Sequence, residues 1–396
     1  MAPLKALDLF AGTGWGVACQ RLGIEESGVE IMPEAVATRE ANGMETIYRD
    51  VWEGLTDAPR VYDLLIASPP CQTFSMAGNG AGRRALDDVI QAITEGAYKD
   101  PAALRAFGEL HDPRTALVLT PLAHVWRDRP RLVAFEQVPT VRPVWEACAD
   151  VMRGWGYSVA VDVLNAEQYG VPQTRKRAIL VARLDGPVAL PTPTHSRYYS
   201  HDPARLDPGV LPWVSMAQAL GWGMTARPYY TVTAGAATPD NLHTGGTEPS
   251  LLGGKAARDA VKKELAEGRW RAGGHDTSPE SWNGKGPNLK LSVGEAAILQ
   301  SYPPYAAFTG NNKLAHQSRR PLDQPAPTIT AGHDSSNRGF LDADGALTVA
   351  TVGQVSALQS YPAPFVWKGA KTKQFLQIGN AVPPLLAEAV LSALIA

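Results

Sequence analysis

Over the first 185 residues, short apolar runs alternate with amphipathic stretches. Seven runs are rich in β-branched and aromatic residues and read as strands: Lys5–Phe10, Ser27–Ile31, Glu45–Val51, Tyr62–Ser68, Leu132–Val138, Ser158–Asn165 and Arg177–Arg183. Between them, Gly16–Gly23, Glu34–Asn42 and Trp145–Gly156 read as helices. Pro33 suits the first turn of the second helix and Gly43 its C-terminal cap. This alternation predicts a doubly wound α/β sheet with helices on both faces.

The pattern stops near residue 185. Residues 186–250 are dense in Pro, Gly, Thr, Tyr and Trp and lack periodicity, which predicts a loop-rich or small-β module beside the sheet. The chain also partly repeats itself. LQSYP occurs at Leu299–Pro303 and Leu358–Pro362, and TVTAG at Thr231–Gly235 is echoed by TITAG at Thr328–Gly332. The two offsets are unequal, which excludes a regular solenoid and points to a partial duplication or an insertion. The apolar stretch Pro383–Ala396 reads as a helix that packs back on a core.

Composition narrows the class. With 396 residues, 44% apolar and 19% charged, and 37 glycines and 32 prolines, the chain is neither collagen-like nor intrinsically disordered. No uninterrupted apolar stretch reaches the ~18 residues of a membrane span. Lys5 and Asp8 interrupt the N-terminal apolar run, which argues against a secretory leader. Three cysteines (Cys19, Cys71, Cys148) fit a reducing, cytoplasmic setting rather than a disulfide framework. The net charge of −2 hides an asymmetry: residues 1–190 carry −5 and the remainder +3, which permits a polyanion on the second half.

Candidate chemistry gathers at the ends of the predicted strands. Gly12 and Gly14, after the first strand, allow a ligand close to the backbone. Glu30, ending the second strand, is placed to accept hydrogen bonds from both ribose hydroxyls, and Asp50, ending the third, from an adenine amino group. These signals alone leave NAD and S-adenosylmethionine both open. Ser68-Pro69-Pro70-Cys71-Gln72-Thr73-Phe74-Ser75 follows the fourth strand, and its two prolines stiffen the approach to a candidate nucleophile, Cys71. Cys19 and Cys148 fall in helices and read as core residues. Glu136, ending the fifth strand, adds an acid, and Gln173–Arg177 places Arg175 and Arg177 on one face if it is a strand.

Taken in order, these residues resemble the DNA cytosine-5 methyltransferases. The blocks are FAGTG, PPCQTFS, DPRTAL (Asp112–Leu117), FEQV, YGVPQTRKR and, near the end, Gln377–Pro384. The resemblance implies a Rossmann-like methyltransferase domain (1–185) that uses S-adenosylmethionine and no metal. It also implies a smaller, loop-rich target-recognition region (186–345) and a C-terminal segment (346–396) that packs back on the first domain. Double-stranded DNA would be the partner, with a monomeric protein and no membrane. Cys71, Glu136, Arg175 and Arg177 would be catalytic: Cys71 adding to C6 of a flipped-out cytosine, a protonated Glu136 at N3, Arg177 at O2 and Arg175 at a backbone phosphate. Phe10, Gly12, Gly14, Glu30, Ile31, Asp50, Val51, Pro70 and Asn380 would line the cofactor site. Gln72, Ser75, Arg83, Arg84 and Thr328 would meet DNA, and residues 76–111 would form a long, mobile loop closing over the base.

The chain departs from the family at three places. Gly14-Trp15 replaces the usual Gly-Gly, and Gln137 replaces an Asn, one methylene shorter. Of the two LQSYP copies, the first keeps an acidic residue (Glu295), while the second lacks the family's charges yet lies at its usual distance from Gly379-Asn380. The sequence leaves three other readings: an RNA (tRNA) cytosine-5 methyltransferase, a non-catalytic DNA-binding member of the fold, and an NAD-linked dehydrogenase. The last shares the glycine turn but leaves Pro70-Cys71 and Gly379-Asn380 without a role.

Overall fold

The computed structural model describes residues 2–57, 60–70, 81–110, 113–220, 305–309, 319–329, 339–342 and 347–396. Each of the seven apolar runs overlaps a strand: β1 Lys5–Leu9, β2 Glu25–Val29, β3 Glu45–Tyr48, β4 Leu64–Ala67, β5 Leu132–Gln137, β6 Ser158–Asn165 and β7 Lys176–Arg183. They form one sheet in the order β3-β2-β1-β4-β5-β7-β6. The first five are parallel, whereas β7 runs antiparallel to both β5 and β6. The reversal follows from chain length, since the ten residues joining β6 to β7 hold only a short 3-10 turn, Ala166–Tyr169, and cannot make a crossover.

Helices cover both faces, so the central strands are buried throughout and alternate side chains feed two cores. Leu7, Leu9, Leu65, Val133 and Phe135 pack against Trp145, Cys148 and Met152 of helix Arg142–Gly154. Ala6, Leu64, Ile66 and Ala134 pack on the opposite side against Trp15 and Cys19 of helix α1 (Gly14–Leu22) and against Leu386, Val390 and Leu394 of the last helix, Pro384–Ile395. Cys19 and Cys148 are thus one in each core, and burial pushes both thiols far above the ordinary range.

Residues 76–111 are not simply a loop. Ala81–Glu95 and Pro101–Leu110 are helices, and Val89, Ile93 and Leu104 are buried in the first core. Their apolar residues recur at helical spacing, a signal that the glycine-rich start of the segment masks.

A second, antiparallel sheet has the order β11-β10-β8-β9, with β8 Tyr305–Thr309, β9 Arg319–Pro321, β10 Gly339–Asp342 and β11 Leu347–Val349. Phe308 and Phe340 meet at 5.2 Å between ring centroids and share a core with Met216, Leu322, Val355, Leu358, Phe375 and Ile378. Residues 346–396 therefore do not act as one segment. Helices Val352–Leu358 and Lys371–Asn380 complete the core of the small domain, while the last helix is built into a core of the large one. Lys371–Ile395 is apolar and long enough to cross a membrane, but it is two helices broken at Ala381–Pro383, packed in these two cores.

Candidate active site

The loop from β1 to α1 turns sharply, with positive φ at Phe10 (60°) and Gly12 (47°). Glu30 closes it from the end of β2. One carboxylate oxygen accepts from Gly12 N–H at 2.9 Å and the other from Met32 N–H at 2.8 Å. Each oxygen keeps a second lone pair, so the carboxylate can still receive two hydroxyls. Ile31, beside it, is 69% exposed, an apolar surface at the sheet's carboxyl edge. Asp50 caps the helix Val51–Thr56 by accepting from Trp52 N–H at 3.1 Å. Arg127 holds the other end of that helix through the Gly54 carbonyl (2.5 Å).

Gly14 is required by packing, because a Cβ there would overlap the Val382 carbonyl oxygen. The glycine loop thus rests on the turn after Gly379-Asn380, and Asn380 itself is exposed at the end of its helix. Thr13 shares a buried 2.6 Å hydrogen bond with Tyr361 of the second LQSYP copy. Gln359 of that copy donates to the carbonyls of Ile378 (3.1 Å) and Ala381 (2.8 Å). The second copy, without the family's charges, is therefore the one that occupies the structural position. The first copy lies outside the described residues.

Beneath the loop is a buried ionic cluster. Arg39 Nη2 donates to both carboxylate oxygens of Glu26 (2.7 and 3.0 Å), and Arg39 also donates to the carbonyls of Gly12 and Glu45. Asp8 is fully buried nearby, and neither oxygen has a hydrogen-bond partner among the described residues. Burial, and then the Glu26 carboxylate, push its carboxyl well above the usual range, against the opposing pull of Arg39.

The ends of β4 and β5 lie side by side. Arg177 Nε meets Glu136 Oε1 at 2.6 Å, with both side chains largely buried. Gln137 follows, 4% exposed, and its amide donates to the Pro69 carbonyl at 2.5 Å and accepts from Val138 N–H. Trp15, 1% exposed, donates its indole N–H to Ser68 Oγ at 2.9 Å. Pro70 ends the described part of this strand exit. Cys71, Gln72 and Ser75 lie outside the described residues. Arg83 and Arg84 lie in the first turn of the helix Ala81–Glu95, of which only the backbone is described there.

Arg175 departs from its expected place. It is 1% exposed and donates to the carbonyls of Ile329 (2.8 Å), Gly379 (2.8 Å) and Ala381 (3.1 Å), so it clasps the small domain to the turn beside the glycine loop and does not face a phosphate. The reason is where the strand starts. β7 begins at Lys176, so strand alternation does not extend back to Arg175, and Gln173 bridges instead to Ala326. Gln173, missed in the sequence, donates to Leu358 O and Gln359 and accepts from Ile329 N–H. Its signal was its place at the head of a polar run that follows an apolar turn. Thr328, expected at DNA, is exposed and donates to the Thr174 carbonyl at 2.6 Å.

Comparison with known proteins adds the following. The family model described as C-5 cytosine-specific DNA methylase matches residues 4–92 and 108–206. The type II methyltransferase M1.HphI of Haemophilus parahaemolyticus is 27% identical, over 99% of this chain and 87% of its own. The type II methyltransferase M.XorII of Xanthomonas oryzae pv. oryzae is 28% identical, over 97% and 82%. Among solved structures, a prophage-encoded protein of E. coli, assigned as a DNA modification methyltransferase, shares the fold with a TM-score of 0.53 and 19% identity, over 99% of this chain and 98% of that one.

Proposed function

The chain belongs to the C-5 cytosine-specific DNA methylase family and is a DNA cytosine methyltransferase, and from that premise we propose that Cys71, Glu136 and Arg177 carry the reaction. The observation that supports this most is the Glu136–Arg177 pair at 2.6 Å, set at the strand end adjoining the one that leads into Pro69-Pro70-Cys71.

The family's methyl donor is S-adenosylmethionine, and the residues at the glycine loop suit it. Glu30 retains two acceptor positions for ribose hydroxyls, Ile31 offers an apolar face and Asp50 a carboxylate at the far end. When bound, the donor supplies an electrophilic methyl group for C5.

Cytosine C5 is too weakly nucleophilic to take that group unaided. A thiol has an unperturbed pKa of about 8.5, so a small fraction of Cys71 is thiolate at neutral pH and can add to C6. The electron pair displaced from the ring moves toward C5, while Glu136, carrying a proton taken up from solvent, donates it to N3 and Arg177 holds O2. After methylation water takes the C5 proton, the C5–H electron pair re-forms the ring double bond and expels Cys71 as thiolate, and the N3 proton returns to Glu136. A stacked base cannot reach the thiol, so the cytosine is flipped out at a cost of a few kcal/mol.

The experiment is trapping with a duplex carrying 5-fluorocytosine in place of cytosine, with the methyl donor present. A covalent complex with the natural protein and none with Cys71→Ser is expected. A Cys71→Ser protein that still methylates DNA would refute the assignment.

A further inference from the structure

Two of the places where the chain departs from the family converge on consecutive residues, Ser68 and Pro69, each binding one of them. Trp15 stands where a glycine is usual, and its indole N–H donates to Ser68 Oγ at 2.9 Å. Gln137 stands where an asparagine is usual, and its amide donates to the carbonyl of Pro69 at 2.5 Å. Trp15 approaches from α1, on one side of the sheet exit, and Gln137 from the end of β5, on the other. Ser68 N–H is also tied, at 3.2 Å, to the carbonyl of Leu9 on β1. Pro69 and Pro70 have no N–H and a fixed φ, so the backbone here cannot hold itself through its own amides. Side chains have to supply that restraint, and both that do so are buried.

Resting on the assignment of Cys71 as nucleophile, we propose that Trp15 and Gln137 are paired positioning residues. They brace Ser68-Pro69 from two sides and thereby set the frame from which Pro70 presents Cys71 to the base. Gln137 needs its extra methylene to reach Pro69, and shortening it by ~1.5 Å would take a 2.5 Å contact beyond hydrogen-bond distance. In this chain the family's asparagine would therefore not replace glutamine.

The test uses three variants of the full chain. Trp15→Phe keeps a buried ring and removes the N–H, Gln137→Met keeps the length and removes the donor, and Gln137→Asn keeps the donor and loses the reach. Each is assayed for the rate of covalent adduct formation on a 5-fluorocytosine duplex, for kcat and for the KM of both substrates. Thermal unfolding and calorimetric binding of S-adenosylhomocysteine report separately on folding and on the cofactor site. The expected result is a roughly 10-fold slower adduct step in each variant, with KM and S-adenosylhomocysteine affinity within twofold of the natural protein. Adduct rates equal to the natural protein's, or a loss confined to KM, would overturn the brace. Absence of any adduct in the natural protein would instead overturn the Cys71 assignment. If one variant fails to fold, the other side of the brace is read from its partner, because Trp15 and Gln137 sit on different elements.

Discussion

Arg175 offers the sharpest contrast between a residue that touches DNA and one that holds the protein together. Replacing it with Met keeps most of the buried stem and removes the guanidinium. Of the three carbonyls it holds among the described residues, Ala381 O keeps a partner in Gln359 at 2.8 Å. The carbonyls of Ile329 and Gly379 each lose a charge-assisted bond of 2.8 Å in a buried setting. At about 1–3 kcal/mol for each such group, the loss is roughly 2–6 kcal/mol. That is a large part of the ~5–15 kcal/mol by which a domain is stable. At ~2–4 °C per kcal/mol for a large domain, the unfolding midpoint should fall by on the order of 10 °C. Arg175→Lys should fall between, because an ammonium lacks the planar fork that reaches two separate carbonyls. Differential scanning calorimetry measures the midpoint, and DNA affinity across a salt series measures the other reading. A lost phosphate contact lowers the salt slope by ~0.9, whereas loss of the clasp leaves it unchanged. An Arg175→Met protein with its melting point intact and a shallower salt slope would refute the clasp.

Two further outcomes follow from the same contacts. Gly14→Ala should overpack the glycine loop against Val382, cost ~1–3 kcal/mol and weaken S-adenosylmethionine binding. Gly12→Ala has nothing within 4 Å and meets only its positive φ, so calorimetric titration should find Gly14→Ala the worse of the two. Asp8→Asn should flatten the decline of stability with rising pH. The folded Asp8 carboxyl titrates above its usual value, so the folded chain holds a proton the unfolded chain has lost, and stability falls as pH rises through the raised folded value. Denaturant midpoints at pH 5, 7 and 9 that keep the natural pH slope in Asp8→Asn would count against this.

The large domain was almost wholly legible, because its strands are buried on both faces and so stand out as apolar runs. What the sequence left open was direction and partnership. The reversal of β7 depends on the shortness of a connection, and the split of residues 346–396 between two cores depends on which neighbour each helix meets. The site divides along the same line. Glu30, Asp50, Glu136 and Arg177 stand at or beside strand ends, where period and position place them. Arg175 was misread because its side chain acts one residue before the strand begins. The four-stranded sheet was visible only as a change of texture, its strands being three to five residues long.

The second LQSYP copy shows what a motif's residues contribute. It lacks the charges of the family's block, and an argument from charge would have preferred the first copy. The contacts show that the work at this position is done by Gln359 and Tyr361, which the two copies share as Gln300 and Tyr302. Gln359 satisfies two carbonyls at the break between helices, a place where the backbone cannot satisfy them itself. Tyr361 reaches the Thr13 hydroxyl, in the same loop whose Gly14 rests on Val382. Both sides of the glycine loop are thus set by residues 359–382, and Arg175 ties those residues to Ile329 in the small domain. The glycine loop and the small domain therefore share one buried polar joint. A substitution in that joint should lower S-adenosylmethionine affinity and domain stability together. One at Trp15 or Gln137 should slow adduct formation while leaving S-adenosylmethionine affinity intact, so the two classes of variant separate the frame of the donor site from the frame of the nucleophile.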